Sequence, residues 1–507
     1  MKKRTLAVIL ALVMILSLAA CGGKTNTPAA AEHPRKAAGE LIAGIAQDLD
    51  ESLNPYQMVS AGEKEILTNV YEGLYKVAPS GDYIPAVAES YTVSEDGTVY
   101  TFKLRDGVKF HNGNTVTVQD VLDSFATCKE LTVDSSLPSV LDGIEVKAEG
   151  NDIIITLPAA NNDFLAYAAL VYIIPSGSAE ECKTNPVGTG PFKFVSRSVQ
   201  ENIVFEKFAD YWGEPAKLNK VTCKIYEDVT AMITALNAGA IDMACHLTLD
   251  QIAGLGDQYN VLEGTMNLVQ ALYLNNARAP FDNVKVRQAM CMAIDVDELL
   301  SITADGHGTK LYTSIYPAFT KYFDESLAKL YPYDPEGAKA LLAEAGYPDG
   351  FKTTITVPSN YTPHVNAGQV MVQQLGRVGI EAELVEVEWN TWVTDVYKGR
   401  NFDTTVCGFD ASTLTANALL SRWVTGASKN MISFSDPEYD ELIAKATAET
   451  DDAVRTDLYK QAAAILAKDA ANVYTQDLAE FTVLNKALSG YNFYPLYRID
   501  FSTIAFN

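Results

Sequence analysis

The run Tyr100-Thr101-Phe102-Lys103-Leu104-Arg105-Asp106-Gly107-Val108-Lys109-Phe110-His111-Asn112-Gly113 decides how this chain reads. Val99 to Leu104 alternates and is rich in β-formers, which predicts a strand with one buried face. Asp106-Gly107 then supplies a turn and Val108 to Phe110 returns, which predicts a hairpin. Just downstream, Thr117 and Asp120 have the spacing of a capping box and predict a helix through Ala126.

The same signals recur outward. Residues 40–46 predict a first strand after Gly39. Asp228 caps a helix that runs to Ala238 and stops at Gly239. Asp334-Pro335 opens another, with Pro at its first helical position, and Gly346 closes it. His364 to Arg377 is amphipathic and stops before Gly379, and a strand follows from Ile380 to Val387. Asp436-Pro437 starts a helix to about Ala448, and Asp451 or Asp452 starts one to about Lys468. Strands interleaved with helices of this length predict α/β layers. No repeat at a fixed period is present.

The 507 residues suggest two to four domains. The composition is that of a globular protein, 48% hydrophobic and 20% charged. With 39 basic and 64 acidic side chains the net charge is −25, which argues against a nucleic-acid partner. Five histidines are few for a multinuclear metal site built on imidazoles.

The N-terminus assigns a compartment. Lys2, Lys3 and Arg4 precede an apolar run from Leu6 to Leu16, followed by Ser17 and Leu18-Ala19-Ala20-Cys21, the layout of a secretory signal peptide over 1–20. The run is too short to span a bilayer, which needs about 20 residues. Residues 21–39 hold little to bury and read as a flexible tether. Cys128, Cys182, Cys223, Cys245, Cys291 and Cys407 are far apart with no C-x-x-C, so they predict buried free thiols rather than a metal knuckle or redox pair.

Motifs that would define an enzyme are missing: no G-x-S-x-G, H-E-x-x-H, G-x-x-x-x-G-K-[ST] or calcium loop occurs. Gly188-Thr189-Gly190 begins like a dinucleotide fingerprint, but Pro191-Phe192 follows where a helix should open, so it reads as a tight turn.

Several ordered segments carry a resemblance. Ala88-Glu89-Ser90-Tyr91 with Tyr100 to Gly113 resembles the signature of family 5 extracellular solute-binding proteins, the peptide, dipeptide and nickel receptors of ABC importers. Ser52-Leu53-Asn54-Pro55, Tyr71-Glu72-Gly73-Leu74, Pro186 to Phe192 and Asp210-Tyr211-Trp212-Gly213 agree in order. So do Asn275-Asn276, Pro280-Phe281, Val286 to Ala289, Tyr333-Asp334-Pro335 and Ser435 to Asp440. The resemblance implies an α/β, two-lobed periplasmic-binding-protein-like fold with a hinge and an inserted subdomain. It assigns 40–72, 189–280 and 478–507 to lobe I, 73–188 to the insert and 281–477 to lobe II. Leu18 to Cys21 resembles a lipobox, which implies a diacylglycerol on Cys21. Plain secretion is the alternative.

The site is read from both sources. Trp389, Trp392, Phe402, Phe409 and Trp423 gather in one stretch, with three of the chain's four tryptophans between 389 and 423. Aromatic platforms suit an organic ligand in a cleft, and they serve equally as core. In peptide-binding relatives, by resemblance, a carboxylate after a Gly-Trp pair holds the ligand's α-amine. Here Phe409 replaces that Trp, Asp410 follows directly, and Ser412 takes the ungapped position, so either Asp410 substitutes from the neighbouring position or this receptor does not grip an amine in that manner. Tyr361 and His364 match a segment that contacts ligand side chains or the carboxyl end, against a helix-terminal role for a lone His. Arg422 is a further carboxylate candidate.

The expectation is a monomeric, lipid-anchored extracytoplasmic receptor that passes a peptide to ABC importer permease subunits, with no cofactor and no metal. A receptor for another solute, such as a metal chelate or oligosaccharide, and an anchored exo-hydrolase are the alternatives.

Overall fold

A seven-stranded sheet, a six-stranded sheet and a four-stranded sheet organise the chain in the computed structural model. It describes residues 33–507 apart from 47, 50, 59, 60, 134–136, 227 and 412. The expected signal peptide, Cys21 and Ser412 therefore lie outside the described residues.

In the seven-stranded sheet Glu40–Ile45 lies centrally, parallel to Lys220–Ile225 on one side and Met243–Leu247 on the other. Asn202–Lys207 and Phe192–Ser198 extend one edge, and Ala479–Asn485 and Tyr259–Thr265 the other. The six-stranded sheet runs Thr309–Lys310, Asn472–Asp477, Leu268–Leu274, Thr404–Asp410, Lys352–Pro358, Glu381–Val387. Its last three strands are mutually parallel. Residues 88–156 supply the four-stranded antiparallel sheet.

The chain crosses from the first large sheet to the second once and returns once. One crossing is Met266-Asn267 and the other is Leu478, and they run side by side: Met266 N–H donates to Leu478 C=O at 2.8 Å. Leu268 N–H donates to Asp477 Oδ1 at 3.1 Å. Two adjacent single-strand crossings are what a hinge between two lobes requires. The first falls at 266–267 rather than at 280. Strand Leu268–Leu274 pairs with Thr404–Asp410 and Asn472–Asp477, so residues 268–274 belong to the second sheet.

The local signals held where they were short-range. Thr117 caps Val118–Leu131 with a capping box to Asp120, though the helix runs past Ala126. Asp228, Asp334, Asp436 and Asp451 each cap the helix that follows through a side-chain oxygen. The hairpin did not form. Strand Val99–Leu104 has Ala88–Val93 on one side and Asp152–Thr156 on the other, so no edge is left for Val108–Phe110. That segment instead closes a tight loop, with Phe110 N–H donating to Asn114 C=O at 2.8 Å.

Among the described residues no disulfide forms, and five of the six cysteines are buried. Among the described residues no helix is long and apolar enough to cross a membrane, and no His/Cys/Asp/Glu group is arranged to hold a metal.

Candidate ligand cleft

Three parallel strands of the second sheet end on the same edge. Thr404–Asp410 ends in Phe409 and Asp410, Lys352–Pro358 leads to Tyr361 and His364, and Glu381–Val387 leads to Trp389 and Trp392. The carboxyl ends of parallel strands are where open α/β sheets bind ligands. Topology thus brings most of the sequence-predicted residues to one edge, and their side chains then divide into three groups.

Asp410 is exposed and lines a cavity of about 290 Å³. That cavity is walled by both lobes. Ala411, Thr413 and Tyr316 lie with Asp410 on the second lobe, and Lys64, Thr68, Glu72, Lys76, Tyr497 and Arg498 face it from the first. Tyr83 and Tyr172 of the inserted segment and Met266 and Asn267 of the crossing complete it.

Trp392 and Trp423 are core rather than cleft. They are 3% and 1% exposed, and each indole N–H is satisfied internally, by Thr405 Oγ1 at 3.0 Å and Ser314 Oγ at 2.7 Å. His364 is also framework. Gln270 Nε2 donates to its Nδ1 at 2.9 Å, and burial pushes its pKa down to about 4, so the ring is neutral. Phe409 is half-buried, with the Arg422 guanidinium 3.9 Å above its ring. Arg422 donates to Tyr397 OH at 3.2 Å and is not among the residues lining the cavity.

Trp389 and Tyr361 form the third group. They are 38% and 43% exposed and meet edge to face at 5.3 Å. Trp389 stacks on buried Trp392 at 5.4 Å and 10°. The exposed pair is thus the outer end of an aromatic series whose inner members belong to the core.

The first-lobe wall was not legible as a site. Glu72 is nearly buried, yet Lys76 Nζ, Tyr211 OH and Trp212 Nε1 donate to it at 2.8, 2.7 and 2.8 Å. Its charge is therefore matched by Lys76. Behind Tyr497, the His246 imidazole lies parallel to the phenol ring at 4.4 Å and between Glu65 and Glu480, 2.7 Å from each. Burial alone would lower its pKa, but the hydrogen bonds to Glu480 and Glu65 outweigh that and raise it to about 10. His246 is therefore an imidazolium that fixes Tyr497 from behind.

Residues 82–431 match bacterial extracellular solute-binding proteins, family 5. The chain belongs to that family. It is 30% identical to heme-binding protein A of Haemophilus influenzae over 81% of this chain and 82% of that protein. It is 29% identical to glutathione-binding protein GsiB of Pectobacterium atrosepticum over 92% and 94%. The solved structure of the ABC transporter-associated periplasmic binding protein DppA from Helicobacter pylori, in complex with peptide STSA, superposes with a TM-score of 0.72 at 26% identity. The match covers 92% of this chain and 98% of that one. The family's two-lobed α/β fold is the fold described above, and its members are substrate-binding proteins.

Proposed function

We propose that this chain is an anchored extracytoplasmic receptor that encloses a short peptide between its lobes and delivers it, chemically unchanged, to the permease subunits of an ABC importer. The observation that carries this reading is the shared cavity, with Asp410 on one wall and Lys64, Lys76 and Arg498 on the other. A carboxylate at the mouth of a cleft suits an ammonium group, and a ligand touching both walls favours the closed arrangement of the lobes. At about 290 Å³ the cavity is at the small end of the roughly 300–1,000 Å³ that ligand sites occupy, which suits a short peptide. The glutathione-binding relative and the peptide-bound solved structure support the choice of ligand.

A thermal-shift panel of free-ended di- and tripeptides, glutathione, heme, nickel–histidine and oligosaccharides tests it. A specific ligand at a hundred times its Kd adds about 2.7 kcal/mol of stability. Peptides are expected to shift the midpoint. A shift by heme, chelate or sugar alone would replace the peptide and keep the receptor, and turnover of any panel compound would overturn the receptor.

The anchor rests on Leu18-Ala19-Ala20-Cys21. Cys21→Ala is expected to lose labelled fatty acid and to appear in the medium or as unprocessed precursor. Label retained on that variant would refute the anchor.

A further inference from the structure

Besides the paired crossings, the chain joins its two lobes in a second place: the inserted segment rests on the second lobe. Tyr83, which lines the cavity, accepts from Leu414 N–H at 3.2 Å. Asn162 Nδ2 donates to Glu449 C=O. A Cβ added to Gly97 would stand 3.0 Å from Thr450 Cγ2, so these two residues also meet. Asp163 follows Asn162 and precedes the helix Phe164–Ala168, whose Ala166 lines the cavity. Its carboxylate makes no hydrogen bond to that helix and is left for another partner.

The groups that meet Asp163 are complementary and unmatched. Asp163 Oδ2 on the inserted segment is shut off from solvent without a hydrogen-bond partner, and so are Arg455 Nε and Tyr459 OH on helix Asp452–Lys468 of the second lobe. The Arg455 and Lys321 charges and the Tyr459 hydroxyl all act on the Asp163 carboxyl. One acceptor and two donors therefore face each other across a single contact. Buried polar atoms are nearly always satisfied, so three orphans of matching kind ask for a closer approach. Burial pushes the Asp163 pKa up to about 6 despite the two cations, so at neutral pH it is a carboxylate whose charge is incompletely met. The reason is competition. Asp452 already accepts from Lys321 Nζ, and from Arg455 Nη2 at 2.6 Å. Asp452 is exposed and can be served by water, whereas Asp163 Oδ2 is shut off from it.

We propose that the inserted segment is a strap laid on the second lobe, which Asp163 fastens to Arg455 and Tyr459 as the cleft closes. The strap is already in place at Tyr83–Leu414 and Asn162–Glu449, and its last hydrogen bonds are open. A small rotation about the crossings at 266–267 and 478 lets Asp163 accept from the Arg455 Nε–H and the Tyr459 O–H. Such a charge-assisted pair, shut off from solvent, is among the strong hydrogen bonds. The strap gives the closed arrangement an energy of its own, apart from any ligand contact. It thereby sets how much of the closing the ligand has to drive. The inference rests on the two-lobed receptor reading and not on the ligand being a peptide.

Two measurements on the purified protein test it. The first needs no ligand: hydrogen exchange at the Leu414 amide, which Tyr83 holds across the contact. Asp163→Asn and Arg455→Gln are each expected to speed exchange there by roughly tenfold, while the central strands Glu40–Ile45 and Leu268–Leu274 keep their protection. Faster exchange in those strands as well would make Asp163 a residue of general stability and overturn the strap. So would unchanged exchange at Leu414. Arg455→Gln, at a partly exposed position, keeps the test open if Asp163→Asn fails to fold. The second is calorimetric titration with Ala-Phe, Ala-Ala-Phe and glutathione. Each single variant should bind roughly tenfold more weakly than wild type, and the double variant no more weakly than either single, because one contact is lost in all three. Wild-type affinity in both singles, or additive losses in the double, overturns the strap. If none of the three peptides binds, the peptide reading fails, and exchange at Leu414 alone decides the strap.

Discussion

The two walls of the cleft were built by different means. On the second lobe, Asp410 ends the strand Thr404–Asp410 and Ala411 and Thr413 follow it directly, so that part of the wall continues one regular element. The first-lobe wall comes from a short helix, a loop and the last residues of the chain, joined by contacts such as Asn69 Nδ2 to Ile499 C=O. Regular elements announce their ends through caps and turns, whereas a wall made by long-range contacts leaves no periodic trace. The wall that sequence could not foresee is also the one that carries the cavity's cations, Lys64, Lys76 and Arg498.

The largest effect should come from treating the second-lobe aromatics as what they are. Trp423→Ala is expected to cost about 3–5 kcal/mol of stability, because it empties a core position and removes the hydrogen bond to Ser314. Denaturant unfolding measures this. A small loss with a large drop in affinity would move Trp423 back to the cleft.

Next is the first-lobe support. His246 has its pKa raised to about 10 in the folded protein, so the stability it provides is complete below the unfolded value near 6.5. That stability is lost as pH rises through about 10. Unfolding free energy should fall over that window by on the order of a few kcal/mol. His246→Gln should be less stable at neutral pH and show a flatter profile. A wild-type profile without that slope would mean that His246 is not held as an imidazolium.

The smallest effect separates rim from core. Trp389→Ala, at an exposed position, should change stability by no more than about 0.5 kcal/mol. It should weaken an aromatic peptide by about 0.5–1.5 kcal/mol more than an aliphatic one, read by calorimetry. Equal loss for both would remove the exposed pair from the site.

Legibility followed the range of the interaction. The capping aspartates were readable because cap and helix are neighbours in sequence. The hairpin at Val108–Phe110 was misread because the edges of Val99–Leu104 were already taken by strands from elsewhere. Asp410 was a candidate through its resemblance to the carboxylate after a Gly-Trp pair, whereas Trp392 and Trp423 were ambiguous because an aromatic cluster looks alike in core and cleft until partners such as Thr405 and Ser314 are known. Arg498 had no signal at all, since only the folding of 494–501 onto helix Ala61–Leu67 brings it to the cavity.

The most direct test of the central claim is a titration of wild type and Asp410→Asn with a free-amine peptide and its N-acetylated form. If Asp410 holds the ligand's ammonium, the wild type binds the free amine roughly ten- to a hundredfold tighter than the acetylated form. Asp410→Asn, exposed and outside the core, should then lose that preference while keeping its thermal midpoint. Equal affinity of wild type and Asp410→Asn for the free-amine peptide would contradict the account.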